Sequence, residues 1–271
     1  MNVVTLGPLD FASDRLAAII GIFAFLALGS WLAHRYDKRL APWTTAAVLS
    51  GLIAARALHV LLHIDSFLSE PWRALYVWQG GFSLIGGVIG VAITLLLLAR
   101  ESRRTLPIAA VPLVSGVFVW FVFTTLWQAA EGPSAPLFTL ARLDGSQAPA
   151  IADRAGRPAV VNLWATWCPP CRREMPLLAE AAAALPDVDF IFANQGEGTV
   201  AIQSYLDDEN LELENVVLDP AHSLSRHYAA PGMPVTLFLG ADGQVLTSHF
   251  GEISREALDV AIARLIPADK E

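Results

Sequence analysis

Apolar positions follow two regimes along this chain. From Leu16 to Ala33, Trp43 to Leu62, Phe82 to Ala99 and Ile108 to Trp127 they run almost without interruption. Each run is close to the roughly 20 residues a helix needs to cross a bilayer, so the first half reads as four spanning helices. Glu131-Gly132-Pro133-Ser134-Ala135-Pro136 is rich in breakers and reads as a linker, which divides the chain into 1–130, 131–136 and 137–271. Beyond it the apolar runs shorten and alternate with amphipathic stretches. The pattern predicts a short strand near Phe138–Leu140, a strand at Ala159–Trp164 and a helix from Arg172 to Leu185. A strand at Val188–Ala193, a helix at Val200–Asn210, a strand at Val216–Leu218, a short helix around Ser223–His227 and a strand at Val235–Leu239 follow. Ala241-Asp242-Gly243-Gln244 has hairpin chemistry and leads into a strand at Val245–His249. Arg255–Leu265 closes the domain as a helix, with Leu258, Ile262 and Leu265 at helical spacing. Alternating strands and helices of this kind build an α/β layered domain.

Charge separates the same two regions. Residues 1–133 carry nine Lys/Arg and seven Asp/Glu, a net of +2, whereas residues 134–271 carry nine and nineteen, a net of −10. An acidic half without a basic stripe argues against nucleic acid as a partner. In the first half, the linker after the first run holds Arg35, Lys38 and Arg39, and that after the third holds Arg100, Arg103 and Arg104. The N-terminal tail has only Arg15 and the linker after the second run only Arg73. Positive charge inside then places both termini, and the acidic domain, outside the cytoplasm. Asp10, Asp14 and Arg15 precede the first run in place of a basic region, which does not fit a cleavable signal peptide. In a Gram-negative cell the expected location is the inner membrane, with the acidic domain in the oxidising periplasm.

Cysteine usage changes the picture most. Cys168 and Cys171 are the two cysteines of the chain, set in Trp167-Cys168-Pro169-Pro170-Cys171 between a β-branched run and a helical one. That arrangement puts the first sulfur at a helix N-terminus, where unpaired N–H groups and the helix dipole stabilise thiolate. The second falls one turn inside, close enough to close a disulfide. A dithiol–disulfide couple is the first reading; half a zinc site and a structural disulfide are the plainer ones, though no second Cys or His pair stands at ligand spacing.

The segment Val161-Asn162-Leu163-Trp164-Ala165-Thr166-Trp167-Cys168-Pro169-Pro170-Cys171-Arg172-Arg173-Glu174-Met175-Pro176 resembles the active-site region of the TlpA/ResA-like membrane-anchored thiol–disulfide oxidoreductases. Gly232-Met233-Pro234-Val235-Thr236-Leu237-Phe238 is similar to that family's cis-proline loop. Taken with the four spans read from the apolar runs, the resemblance implies an α-helical four-span membrane domain followed by an α/β thioredoxin-like domain. It implies Cys168 as nucleophile, with its pKa lowered into the range of about 3.5–7.5, and Cys171 as the resolving thiol. Pro169 stiffens the loop between the sulfurs, together with Pro170. Trp167, Met233 and Pro169 would border the substrate, and Pro234, if cis, would set the Met233 backbone beside the sulfurs to pair with an extended segment. Glu174 is expected to carry the proton of the resolving thiol, because the buried acid of ordinary thioredoxins aligns with Asn162, which does not titrate.

In the first half, Gly51 to His59 and Trp78 to Gly90 resemble parts of the prolipoprotein diacylglyceryl transferases. That family's catalytic His is replaced by Ile85, and its later arginine-, asparagine- and glutamate-bearing signature has no counterpart. Arg56, His59 and His63 fall along one face of the second span. They read as an interhelical polar network or, more sharply, as a lipid-headgroup pocket around Arg56 and His59. Gly86 and Gly90 make a small-residue seam for close helix packing.

The expected activity is reduction of extracytoplasmic protein disulfides by the Cys168–Cys171 couple, with no cofactor and no metal. Oxidised thiol proteins, apocytochrome c among them, are the expected substrates, and membrane lipid is the expected surroundings. The membrane half has no cysteine, so electrons must come from a separate transmembrane thiol donor rather than from an internal relay of the DsbD type. A disulfide-donating oxidase, or a lipid- or lipoprotein-handling module with a redox sensor, remain alternatives.

Overall fold

The computed structural model describes residues 3–6, 9–68, 70–128, 133–154 and 156–266; Glu131 and Gly132 of the expected linker lie outside them. A short hairpin of β1 (Val3–Leu6) and β2 (Leu9–Ala12) precedes helices α1 (Ser13–Arg35), α2 (Leu40–Leu62), α4 (Leu84–Glu101) and α5 (Leu106–Gln128). A single turn and a half, α3 (Ile64–Leu68), follows α2, and 3-10 turns at Pro71–Leu75 and Val77–Gln79 complete the connection to α4. The four long helices are each apolar and long enough to cross a membrane. They pack as two pairs, α1 with α5 and α2 with α4, joined mainly through α1 and α2.

Small residues make the α2/α4 pairing possible. A Cβ on Gly86 would strike the Ala54 backbone, and one on Gly90 would strike the Ser50 carbonyl. Ser50 Oγ donates to the Gly90 carbonyl across that seam at 3.1 Å. Where lipid is as apolar as leucine, such close backbone approach is what holds helices together. Phe25, Trp43 and Leu98 form the buried apolar centre at the opposite end of the bundle from the α2–α4 loop.

The second half is a six-stranded sheet in the order β3-β6-β5-β4-β7-β8. Its strands are β3 (Ala141–Arg142), β4 (Ala159–Trp164), β5 (Asp189–Gln195), β6 (Val216–Asp219), β7 (Val235–Leu239) and β8 (Val245–Phe250). The three strands β4, β5 and β6 run parallel; β7 and β8 join antiparallel at one edge and β3 at the other. Helices α6 (Pro169–Ala184), α7 (Thr199–Asp208), α8 (Ser223–His227) and α9 (Arg255–Leu265) cover it. Parallel pairing needs crossover helices, and α6 and α7 supply them.

All six residues of β4 are buried, as expected of a central strand covered on both faces. Its alternation divides the core in two. Val160 and Trp164 pack with Met175 and Leu178 of α6 and Leu258 and Ile262 of α9. Ala159, Val161 and Leu163 face Leu224, Tyr228 and Leu237 on the other side. Asn162 shares the α6 face with Val160 and Trp164, a polar residue placed by period two into an apolar layer.

The expected first strand is displaced. Phe138–Leu140 is irregular, and the strand forms at Ala141–Arg142, in register with Leu218 and Val217 of β6. The Asp144-Gly145 turn, with Gly145 at φ +81° and Arg142 N bonded to Ser146 O, brings the following chain back beside that pair. Hydrogen-bond pairing along β6, rather than apolar content, decides where the strand lies. The α6 helix likewise begins three residues before the expected Arg172, because the two prolines occupy the first turn, where their missing N–H groups need no partner.

Candidate active site

Cys168 is the N-cap of α6 and Cys171 lies in its first turn; the two are joined in a disulfide with a Cα–Cα distance of 5.3 Å. The Cys171 backbone N–H points at Cys168 Sγ, at 3.3 Å. An N–H in that position, at the positive end of the helix dipole, favours thiolate at Cys168 once the bond is reduced. Two arginines follow immediately, yet both are engaged elsewhere. Arg172 pairs with Glu209 and lies over the Tyr205 ring, and Arg173 pairs with Glu252. Stabilisation of the sulfur anion therefore falls to the helix terminus.

Cys168 is only 3% exposed and Cys171 is fully buried, whereas Trp167 is 66% exposed and Pro169 is also at the surface. Met233 is partly buried beside the α6-facing core, which includes both cysteines, and the Met233–Pro234 peptide is cis. The exposed indole of Trp167 and the Pro169 ring thus flank the entrance to a sulfur pair that is otherwise sheltered.

Glu174 lies one turn beyond Cys171 and is 1% exposed. Its Oε1 accepts from Asn162 Nδ2 at 2.8 Å, and its Oε2 accepts from the Ile253 backbone N–H at 2.8 Å. Burial is the dominant influence and pushes the carboxyl up to about 8; the neighbouring charge of Glu252 adds to this. The hydrogen bonds from Ile253 and Asn162, and the charge of Arg173, pull it down without offsetting the burial. Asn162 also donates to Thr236 Oγ1 at 3.1 Å, so one amide links β4, α6 and the strand that follows Pro234. The two positions the sequence comparison weighs against each other, Asn162 and Glu174, are hydrogen-bonded partners.

The sequence reading does not anticipate Glu197. Its carboxylate accepts from the Thr166 backbone N–H (2.7 Å), the Thr166 hydroxyl (2.6 Å) and Asn194 Nδ2 (2.8 Å). It clamps the turn that leads into Trp167 and Cys168. Only its position just past the end of β5, the strand beside β4, hints at this, since loops after parallel strands gather at one edge of the sheet.

The membrane half has its own polar cluster. Arg56 donates from Nε to Ala74 O (2.9 Å), from Nη1 to Gly80 O (2.7 Å) and Gly81 O (3.0 Å), and from Nη2 to Arg73 O (2.8 Å). Four of its five N–H donors are thereby committed to the loop between α2 and α4. Phe67 is buried under this guanidinium and that of Arg73, each 5.6 Å from its ring centre. His59 lies beside His63, with ring centres 4.7 Å apart and the planes tilted by 45°, and a Cβ on Gly81 would collide with His59 and Arg56. Gly81 has φ +77°, so this loop is shaped around the pair. The lipid-headgroup role expected for Arg56 and His59 is left with one guanidinium donor and the imidazole.

The Redoxin family profile matches residues 130–264, and the Prolipoprotein diacylglyceryl transferase profile matches residues 2–122. The thiol-disulfide oxidoreductase ResA of Bacillus thuringiensis (strain Al Hakam) is 26% identical over 174 residues, covering 62% of this chain and 99% of its own. That of Bacillus subtilis (strain 168) is 28% identical over 139 residues, covering 51% and 76%. A secreted Mycobacterium tuberculosis disulfide oxidoreductase homologous to E. coli DsbE is 31% identical, with a TM-score of 0.44 over 48% of this chain and 96% of its own. The chain is a thiol–disulfide oxidoreductase similar to the ResA proteins, its Redoxin-matching domain at residues 130–264 fused to an N-terminal four-helix region resembling the prolipoprotein diacylglyceryl transferases.

Proposed function

We propose that this protein reduces disulfides of proteins on the extracytoplasmic side of the membrane, drawing electrons from a separate membrane-embedded thiol donor. The observation that carries the reading is the pairing of a sheltered Cys168–Cys171 couple with Glu174, an acid one turn away that burial keeps protonated near neutral pH. In the reductive half-cycle a donor thiolate attacks Cys168 Sγ. The Cys168–Cys171 bond breaks, and Cys171 leaves as a thiolate that takes the Glu174 proton. A second donor thiol then releases Cys168, and the donor departs as a disulfide.

In the second half-cycle the Cys168 thiolate attacks a client disulfide and forms a mixed disulfide, expelling one client thiolate. The Glu174 carboxylate takes the proton of Cys171, whose sulfur attacks Cys168 Sγ. The second client thiolate leaves; the client has gained two electrons, and its two thiolates take their protons from water. Pro234, Met233 and Trp167 would align the client backbone, and Pro169 would border it. Apocytochromes and other oxidised thiol proteins fit this class of client. The absence of any other cysteine in the chain supports an external donor.

The test is the redox state of Cys168 and Cys171 in cells, trapped by acid and resolved by alkylation with a mass-shifting thiol reagent. A mostly reduced pair, oxidised when the membrane thiol donor is deleted, is the expected result. A pair that stays oxidised with or without a donor overturns the direction. Cys171→Ser is expected to accumulate mixed disulfides through Cys168, which identifies the clients.

A further inference from the structure

The segment Gly251–Ser254, between β8 and α9, touches both functional elements of the soluble half. Gly251 N donates to the Pro234 carbonyl at 2.9 Å, and Ile253 N donates to Glu174 Oε2 at 2.8 Å. The loop between α2 and α4 grips this segment and the first turn of α9 that follows it from the membrane side. Gln79, 8% exposed, donates from Nε2 to Glu252 Oε1 at 2.9 Å. Arg73 Nη2 stands 3.2 Å from both oxygens of Glu256, a carboxylate 3% exposed. The second oxygen of Glu252 holds Arg173 of α6 at 2.6–2.8 Å. Exposed ion pairs contribute little, but a buried carboxylate stripped of its cation is costly, so the Arg73–Glu256 contact resists opening.

We propose that Arg73 and Gln79 are positioning residues for the redox site: by holding Glu256 and Glu252 they press the Gly251–Ser254 strap onto Glu174 and the Pro234 loop, so the membrane half sets how the soluble half handles its proton. This rests on the assignment of proton transfer to Glu174. The titratable and charged groups around Glu174 are Glu252 on the strap, and Arg173 and the two sulfurs on α6; Asn162 on β4 and Thr236 on β7 are neutral. The strap donates one N–H to the carboxylate, and the burial of the carboxyl, of which the strap is one wall, outweighs that bond. A strap released from the membrane loop admits water and lets the carboxylate form at lower pH.

The experiment uses the full chain in lipid nanodiscs and measures reduction of the oxidised pair by dithiothreitol across pH. Each variant is expressed as a ratio to the parent, which cancels the reagent's own titration. Glu174→Gln is the reference for loss of the acid. In Arg73→Ala/Gln79→Ala the half-point of the Glu174-dependent step is expected to move to lower pH, to a proton concentration about tenfold higher. Glu256→Gln, which removes the ion pair from the soluble side and leaves the membrane loop intact, is expected to move it the same way, and Arg73→Lys to leave it in place. Exchange of the Ile253 amide is expected to quicken by roughly tenfold in the same variants. Profiles and exchange that superimpose on the parent, while Glu174→Gln departs from it, overturn the proposal and leave Glu174 in its role. A Glu174→Gln profile that itself superimposes on the parent removes that role, and the proposal with it.

Discussion

Arg56 in the membrane half and Glu174 in the soluble half are both ionisable side chains met chiefly by neutral hydrogen-bonding groups, yet the chain uses them differently. Arg56 gives four donors to backbone carbonyls of one loop. Glu174 receives one backbone N–H and one amide N–H from distant elements. A guanidinium does not release its proton in proteins, so surrounding it with carbonyls makes a permanent clamp. A carboxyl pushed up to about 8 gains and loses a proton close to working pH. Arg56 is only partly buried whereas Glu174 is 1% exposed, so a fixed clamp in one region and a group able to exchange a proton in the other follow from the depth of burial as well as from each group's own titration range.

The largest effect that sharpens this comparison is the pH dependence of stability. Glu174 titrates near 8 in the folded chain against an ordinary value of 4.5. Its contribution is complete below about pH 4.5 and is lost as pH rises through about 8, because over that interval the folded state holds a proton the unfolded state has released. The swing is on the order of 5 kcal/mol. Denaturation midpoints of the oxidised full chain should fall across that window, and Glu174→Gln should flatten the fall. An unchanged slope in the variant would assign the effect to other groups.

Arg56→Leu should come next. It strands the carbonyls of Ala74, Gly80 and Gly81, while that of Arg73 keeps the Tyr76 N–H, and even with water reaching some of them the cost should be roughly 3 kcal/mol. Thermal unfolding in detergent reads this, and no pH dependence between about pH 5 and 9 should accompany it, in contrast to Glu174. A variant as stable as the parent would show that the loop keeps its shape without the clamp.

Gly90→Ala tests the packing that carries α2 and α4. The new methyl meets the Ser50 carbonyl rather than a flexible side chain, so the helices must part, at about 1–3 kcal/mol. Weakened cross-linking between engineered cysteine pairs on the two helices would report it. The smallest change is Asn162→Leu, which keeps the branching of the side chain but removes a donor to Glu174. The half-point of the Glu174-dependent reduction step should rise above about 8, as the sign of that hydrogen bond dictates. A fall would mean that water has replaced the amide.

Much of the fold was legible because it rests on local, periodic signals. Long apolar runs mark spans whatever their neighbours, and the ends of α1, α2, α4 and α5 lie within a few residues of the apolar boundaries. The strands β4 and β7 and helices α8 and α9 were marked by β-branched runs and helical spacing. The edge strand at Ala141–Arg142 was not, because an edge strand follows its partner's hydrogen-bonding groups, and those belong to β6, some 75 residues away along the chain. The hairpin of β1 and β2 ahead of α1 was not anticipated either, although the sequence offers Gly7-Pro8, a turn dipeptide, between the two short apolar stretches.

The site divides along the same line. The amino-acid sequence by itself determined the redox couple: two cysteines three apart, with prolines fit only for a helix's first turn, specify a helix-capping dithiol through local sterics. It also placed Glu174 one turn on, since helical geometry is local. Only the tertiary structure decided that Glu174 is met by Asn162 and Ile253, that Glu197 clamps Thr166, and that Arg73 and Gln79 of the membrane loop hold the strap beside the site. Those contacts join residues 12 to 183 positions apart. Their existence depends on how sheet order and helix packing bring the ends of separate elements together, and no local pattern of polar and apolar residues encodes that meeting.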